Sequence, residues 1–162
     1  MDTQFDLIVA RPEGLFCPPG HFYIDSWRPV ERTIVTYAHA DHARFGHARY
    51  LCAAPGVGVL TSRLLGIDVQ DLPYGEAIDV NGVRVSLHPA GHVLGSAQVR
   101  VEHGGRVWVA SRDYKVEPDQ TCAPFEPVRR DTFITESTFG LPNLSMRPVA
   151  SRLRWRRFMV VS

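Results

Sequence analysis

The sequence predicts a β-rich α/β fold on three observations. Short apolar or β-branched runs recur along the chain and end at Pro, Gly or Asp, which is typical of strands. Two turn signals, Asn81-Gly82 and the His103–Gly105 stretch, each separate a pair of such runs. One segment, Val57–Leu65, favours a helix, because Gly66 follows it as a stop signal. With 162 residues, the chain can bury the core of one domain or of part of one.

The predicted strands share a length of four to six residues and an enrichment in Val, Ile, Thr and aromatic side chains. In the last hairpin, valines alternate with polar or aromatic residues, so one face of that hairpin should cover the core. In chain order the predicted strands are Phe5–Ala10, His21–Ile24, Thr33–Tyr37, Tyr50–Ala53, Ala77–Val80, Val83–Leu87, Gln98–Glu102, Arg106–Ala110 and Thr132–Thr135.

The balance of basic and acidic residues changes after Pro142. The hydrophobic fraction of 44% and the net charge of +1 exclude a disordered polymer, a collagen or a supercharged tail protein. Residues 143–162 nevertheless hold five Arg and no acid, whereas residues 1–142 hold 13 basic and 17 acidic residues, a net charge of −4. We expect a domain part at 1–142 and a basic tail at 143–162. The tail is either a basic amphipathic helix or, as we favour, sequence foreign to the fold, such as frameshifted translation.

The cysteines and the first residues predict a cytoplasmic location. Cys17, Cys52 and Cys122 are widely spaced and form no Cys-x-x-Cys pair, which argues against a disulfide framework or a zinc ribbon. The first residues carry acids before any base and an apolar run of only four, unlike a secretory signal. The sequence also predicts no membrane partner.

A candidate metal site follows the strand around Ile34. In the stretch TYAHADHA, residues 36–43, extended backbone would point positions 37, 39 and 41 the same way, and His42 can join them if the chain turns there. Histidine and aspartate this dense at a strand end suit Zn²⁺ or a similar ion. A surface loop with two solvated histidines is the alternative for this stretch taken alone.

Two later positions favour the metal site. His92 lies in a Gly-rich loop between two predicted strands, and Asp113 follows the strand that ends at Ala110. Each of these groups arrives where a strand stops, which is a common way to build a site at one edge of a sheet.

These residues together resemble the metallo-β-lactamase superfamily, whose first motif is His-x-His-x-Asp-His, followed by a lone His and a lone Asp. The stretches PAGHVLGSAQV, SRDYK and FITESTFG resemble its β-CASP branch, which cuts nucleic acids. The segments LFCPPGHFYIDSWRPVERTIVTYAHADHAR and LPYGEAIDVNGVRVSLHPAGHVLGSAQVRVE are similar to bacterial ligase-associated DNA exonucleases. The resemblance covers residues 5–142 and implies an αββα sandwich of two mixed sheets, of which this chain holds the N-terminal part.

The resemblance also implies a set of metal ligands. His39 and His92 match ligands of a first metal, Asp41 and His42 match ligands of a second, and Asp113 matches the carboxylate that bridges both. The family holds two Zn²⁺ ions, with Mn²⁺ or Mg²⁺ as alternatives. The ions bind the scissile phosphate and bring the pKa of a bridging water down to roughly 7. Asp41, which would orient that water, and Asp113 are the expected catalytic residues.

Four further positions support this site or depart from it. Asp25 matches the acid that buttresses the histidine loop, and Glu136 matches the acid that opens the β-CASP motifs. Tyr37 stands where the family has its first histidine, and a phenol with a pKa near 10 is a poor ligand. Arg112 stands where the family has Gly and should bring a positive charge next to the bridging carboxylate. We therefore expect one bound ion or none.

The expected function is that of a metal-dependent DNA exonuclease of the ligase-associated type, acting in DNA repair and inactive in this form. DNA is the expected partner, together with a DNA ligase in the same pathway. The alternatives are a non-catalytic fragment that binds a metal or nucleic acid, and another hydrolase of the metallo-β-lactamase fold.

Overall fold

Two mixed sheets form the architecture of this computed structural model, which describes residues 6–136, 147–148 and 158–161. In the described chain, the first sheet has six strands in sequence order and the second has seven in the order β12-β13-β11-β10-β9-β8-β7. The first comprises β1 (Val9–Arg11), β2 (Gly14–Cys17), β3 (Phe22–Ile24), β4 (Arg32–Ile34), β5 (Arg49–Ala53) and β6 (Val69–Leu72). The second comprises β7 (Ala77–Val80), β8 (Val83–Pro89), β9 (Ala97–His103), β10 (Arg106–Ser111), β11 (Thr132–Glu136), β12 (Arg147–Pro148) and β13 (Phe158–Val161).

Parallel pairing in the first sheet collects several strand ends at one edge. Strands β1 to β3 pair antiparallel, whereas β3 to β6 run parallel to their neighbours. Because parallel strands end on the same side, the residues after β3 and after β4 become neighbours. Asp25 follows β3, and the loop that begins at Val35 follows β4.

The second sheet delivers further loops to the site. Strands β7 to β10 form an antiparallel meander, and β11 then pairs parallel with β10, with Ala110 opposite Ile134. The ends of β10 and β11 therefore lie at the same edge of this sheet. That edge carries the residues from Ser111 to Asp113 beside Glu136.

The main core lies between the two sheets. Phe22 and Ile24 of the first sheet share one buried cluster with Leu87, Val99 and Val101 of the second, and none of the five is exposed. Strand β9 alternates as the sequence predicts, because its valines face this core while Arg100 and Glu102 are only partly buried. This shared core therefore fixes the strand ends of one sheet relative to those of the other.

A smaller core covers the outer face of the first sheet. A 3₁₀ turn (Ala54–Gly56) leads into the helix α1 (Val57–Arg63). Leu60 and the following Leu64 pack there with Val35, Tyr50 and Cys52. Since Val35 starts the loop after β4, this helix also supports the backbone that carries the candidate site.

The hairpin of β7 and β8 has the predicted turn and the predicted β7, whereas β8 runs two residues past the predicted Leu87, to Pro89. Asn81 and Gly82 both have positive φ, 53° and 81°, which is the conformation that an Asn-Gly hairpin turn requires. Strands β3, β5, β9, β10 and β11 also fall on their predicted runs, with ends that differ by a residue or two.

Other sequence expectations were wrong in detail. Strand β4 ends at Ile34 instead of Tyr37, because the amide of Thr36 bonds to the carboxylate of Asp25 and not to a strand. The first strand begins at Val9 among the described residues, and the predicted Phe5 lies outside them. The sequence analysis missed β2 and β6, which lack a continuous β-branched run.

The basic tail lies mostly outside the described residues. Two of its segments, β12 and β13, are strands, and β13 pairs antiparallel with β11. The boundary at residue 142 stays a prediction. In the described part of the chain, no helix is long and apolar enough to cross a membrane.

The close approach of Gly95 to Gly56 gives a first prediction. Gly95 has a φ of +75°, and a Cβ built there would lie 2.2 Å from the Cα of Gly56. We expect Gly95→Ala to lower the free energy of unfolding by about 2–4 kcal/mol, from left-handed strain plus the clash. A Cβ built at Gly58 in α1 would meet open space. We therefore expect Gly58→Ala to raise the free energy of unfolding by about 0.5–1 kcal/mol. Urea unfolding of both variants tests this, and equal effects would contradict it.

Candidate metal centre

The loop after β4 turns sharply at His39. The amides of His42 and Ala43 both donate to the carbonyl of His39, at 3.0 and 2.8 Å. This helical turn is the one that His42 needs to join its neighbours, and it buries the His42 side chain completely. The ring of Tyr37 lies 4.1 Å from that of His42 and 4.8 Å from that of His39, between ring centres.

The loop between β8 and β9 brings His92 to the same place. The hydroxyl of Ser96 accepts hydrogen bonds from the amides of His92 and Val93, at 3.1 and 3.2 Å, and thereby closes the loop. The ring centre of His92 then lies 5.1 Å from that of Tyr37 and 5.7 Å from that of His39. The sequence analysis did not single out Ser96, although a serine at the end of a Gly-rich loop is a recognisable signal.

Two carboxylates complete the group. The hydroxyl of Tyr37 donates to Asp113 and also contacts Nε2 of His42. Nε2 of His42 lies 3.1 Å from Oδ2 of Asp41 and 3.8 Å from Oδ2 of Asp113. The structure thus collects the five residues proposed as ligands around the side chain of Tyr37. Their role as ligands stays a prediction.

Asp25 is the anchor beneath this group. Its side chain is fully buried, with Oδ1 accepting from the amide of Thr36 at 2.8 Å and Oδ2 from the Thr36 hydroxyl at 2.6 Å. Oδ2 also faces Nδ1 of His42 at 2.7 Å. Because a carboxylate only accepts, Nδ1 carries a proton, and Nε2 is the nitrogen that faces the cluster.

The charge of Asp25 is balanced from two sides. Burial alone would raise the pKa of Asp25, but the electrostatic interactions with His42 and Arg112 and the hydrogen bonds from His42 and Thr36 bring it below its usual value. The guanidinium Nε of Arg112 lies 3.9 Å from Oδ2 of Asp25. Asp25 therefore stays ionised in the core at neutral pH.

The side chain of Arg112 pairs with Glu136. We expected its charge beside Asp113, and its Nε and Nη2 lie 3.1 and 3.0 Å from Oε2 of Glu136. Arg112 is only 1% exposed, and its charge faces the buried Asp25 and the partly buried Glu136. This ion pair was not predicted, since it depends on the parallel pairing of β10 with β11.

Tyr37 acts as a hydrogen-bond donor in this structure. Burial, followed by the hydrogen bond to Asp113 and the negative charges of Asp113 and Asp41, raises the pKa of Tyr37 far above its usual value. The phenol therefore keeps its proton at neutral pH, which agrees with the expectation of a poor ligand. The burial of His92 lowers the pKa of its imidazole, which favours the neutral form.

The donor set does not fit a shared ion as it stands. Within the described ranges, no three His, Cys, Asp or Glu side chains are arranged to hold one metal. The atoms that face the second expected position, on His42 and Asp113, are both in contact with the Tyr37 hydroxyl. A zinc ion needs ligand atoms at about 2.0–2.2 Å, and the hydroxyl oxygen leaves no such place between them.

The sequence is similar to nucleic-acid-processing proteins. A probable DNA ligase from Opitutus terrae is 32% identical over 148 residues, which is 90% of this chain and 14% of that protein. The endoribonuclease YSH1 of Yarrowia lipolytica is 36% identical over 74 residues, 44% of this chain and 9% of that protein. The chain thus spans about a seventh or less of the length of these relatives. No protein-family model matches it.

A solved structure of a metallo-β-lactamase from Cronobacter sakazakii is also similar, with a TM-score of 0.47 and 12% identity over 67% of this chain and 60% of that one. The two facing mixed sheets with few helices are the β-rich, two-sheet architecture that the sequence analysis expected. The similarity to the YSH1 endoribonucleases supports the relation to the β-CASP branch that the sequence analysis inferred.

The buried Asp25 gives a prediction about acid stability. Its pKa is lower in the folded than in the unfolded chain, so its stabilisation is present above the unfolded value near 4 and disappears as the pH falls through the folded value. We expect Asp25→Asn to cost about 3–5 kcal/mol at pH 7 and to flatten the loss of stability below pH 4.

Urea unfolding between pH 7 and pH 3 measures both effects. The matched control is Asp68→Asn, because Asp68 is an exposed acid away from the site. In Asp68→Asn, the free energy of unfolding should fall between pH 7 and pH 3 as much as it does in the unchanged chain. An Asp25→Asn variant with unchanged stability at pH 7 would show that the anchor is not needed.

Proposed function

We propose that this chain carries the ligand-bearing part of a metal-dependent DNA nuclease of the ligase-associated exonuclease type, and that hydrolysis by the chain itself is negligible. The observation that carries the proposal is the convergence of His39, Asp41, His42, His92 and Asp113 from three separate loops. The convergence places two buried or half-buried imidazoles and several carboxylates at one sheet edge. Desolvating such groups costs free energy, so a cluster of this kind is typical of a functional site.

The residues of this chain supply part of what phosphodiester hydrolysis needs. Asp25 and Thr36 fix the orientation of His42, and Ser96 fixes the loop of His92. In the family the ions supply the electrostatic stabilisation of the reacting phosphate. Here the hydroxyl of Tyr37 binds the groups that would hold such an ion, so we derive no hydrolytic step for the chain as it stands.

DNA is the substrate class we favour over RNA. The similarity to the DNA ligase extends over nearly the whole chain, whereas that to the endoribonucleases covers less than half of it. We also propose that a DNA ligase is the partner activity in the same repair pathway. The three free cysteines of the described part agree with a reducing, cytoplasmic setting.

We predict no detectable cleavage by the chain and weak cleavage by Tyr37→His. The substitution removes the hydroxyl from His42 and Asp113 and adds an imidazole beside His39. End-labelled single-stranded and double-stranded DNA, incubated with each protein and added Zn²⁺ or Mn²⁺, provides the measurement. Cleavage by Tyr37→His should fall at least about 100-fold when Asp113→Ala is added, because groups of one centre act as a unit.

Glu117→Ala in the Tyr37→His background is the matched control, since Glu117 is an exposed acid only four residues from Asp113. This control should keep the cleavage. Turnover by the unchanged chain that Asp113→Ala abolishes would overturn the claim of inactivity. Cleavage of an RNA strand but not of DNA would overturn the substrate class. A Tyr37→His protein that binds metal and cuts neither would favour the non-catalytic alternative.

A further inference from the structure

We propose that the hydroxyl of Tyr37 occupies the position of the second metal ion and blocks it, so that Tyr37 is a plug of that position and not a weak ligand of the first. The proposal rests on the proposed function only for the location of the two metal positions. It differs from the sequence expectation, which placed Tyr37 at the position of the family's first histidine, as a poor ligand of the first metal beside His39 and His92.

The contacts of the hydroxyl decide between the two positions. Its partners are His42 and Asp113, and Asp41 approaches the same nitrogen of His42 at 3.1 Å. His42, Asp41 and Asp113 are the three residues assigned to the second metal. The ring of Tyr37 is also closer to the ring of His42 than to those of His39 and His92, at 4.1 Å against 4.8 and 5.1 Å.

The size of tyrosine explains this reach. A histidine at position 37 would end at its ring, near His39 and His92, whereas a tyrosine extends farther by its phenolic oxygen. In this structure that additional oxygen reaches His42 and Asp113, which are assigned to the second position. One side chain therefore removes a ligand from the first position and fills the second.

The ring of Tyr37 has little space into which it could move. Tyr37 is only 4% exposed. A cavity of only about 10 Å³ adjoins it, lined also by Val35, Leu60 and Gly95. An incoming ion would have to displace the hydroxyl from both of its partners while the ring stays in place.

The plug and the ligand interpretations predict opposite signs for Tyr37→Phe. This substitution keeps the ring and removes only the hydroxyl. If the hydroxyl is a plug, zinc affinity rises, because His42 and Asp113 become available to the ion. If the hydroxyl is a ligand, zinc affinity falls or does not change.

The experiment is a calorimetric titration of Zn²⁺ into the chain and into Tyr37→Phe, with elemental analysis of the metal content. We expect binding at least about tenfold tighter in Tyr37→Phe, which corresponds to about 1.4 kcal/mol. Adding Asp41→Asn to this variant should abolish the gain. Tyr23→Phe is the matched control, because the ring of Tyr23 packs on Phe16 of β2 instead of the candidate ligands. This control should leave zinc binding unchanged.

Each outcome decides the proposal. Unchanged or weaker zinc binding by folded Tyr37→Phe overturns it, as does a gain that survives Asp41→Asn. If Tyr37→Phe does not fold, Tyr37→His replaces it, and a second bound ion that depends on Asp41 is then the expected result. The readout of this experiment is metal binding, so a negative nuclease assay does not affect its result. If zinc binding contradicts the plug, the nuclease proposal is still decided by the cleavage assay.

Discussion

The buried carboxylate of Asp25 is the interaction on which the candidate site depends. It lies at the end of β3, yet it bonds to Thr36 and His42 of the loop after β4 and faces Arg112 after β10. One ionised group in the core thus connects both sheets at the edge where their loops meet. Leaving such a charge without partners is costly, so the loops are held where they can satisfy it.

This anchor is part of a wider balance of charge at the same edge. Negative charge gathers at the edge from Asp25, Asp41, Asp113 and Glu136, and in this chain protonated or cationic groups balance it. The guanidinium of Arg112 pairs with Glu136, and the hydroxyl of Tyr37 donates to Asp113. The two departures from the family motif therefore act in the same direction, since both place hydrogen-bond donors against carboxylates at this edge.

The sequence predicted the residue types of the site better than their arrangement. Short-range logic was sufficient for the Asn81-Gly82 hairpin, and it named the turn after His39 as the condition for His42 to join the site, because both depend on neighbours in the chain. The same logic extended β4 to Tyr37, since it could not show that the Asp25 side chain takes the amide of Thr36. It also placed Arg112 beside Asp113, its neighbour in sequence, and did not predict the pairing of Arg112 with Glu136.

By itself, the sequence determined where polar groups follow apolar strands, and hence which histidines and aspartates form a candidate centre and to which nucleases the chain is related. Only the tertiary structure decided which of these groups contact one another. The Tyr37 hydroxyl meets Asp113 across 76 residues of chain, through the packing of two sheets. A contact of this kind depends on strand pairing and on the core between the sheets, because no local pattern specifies how far a side chain reaches into a neighbouring loop.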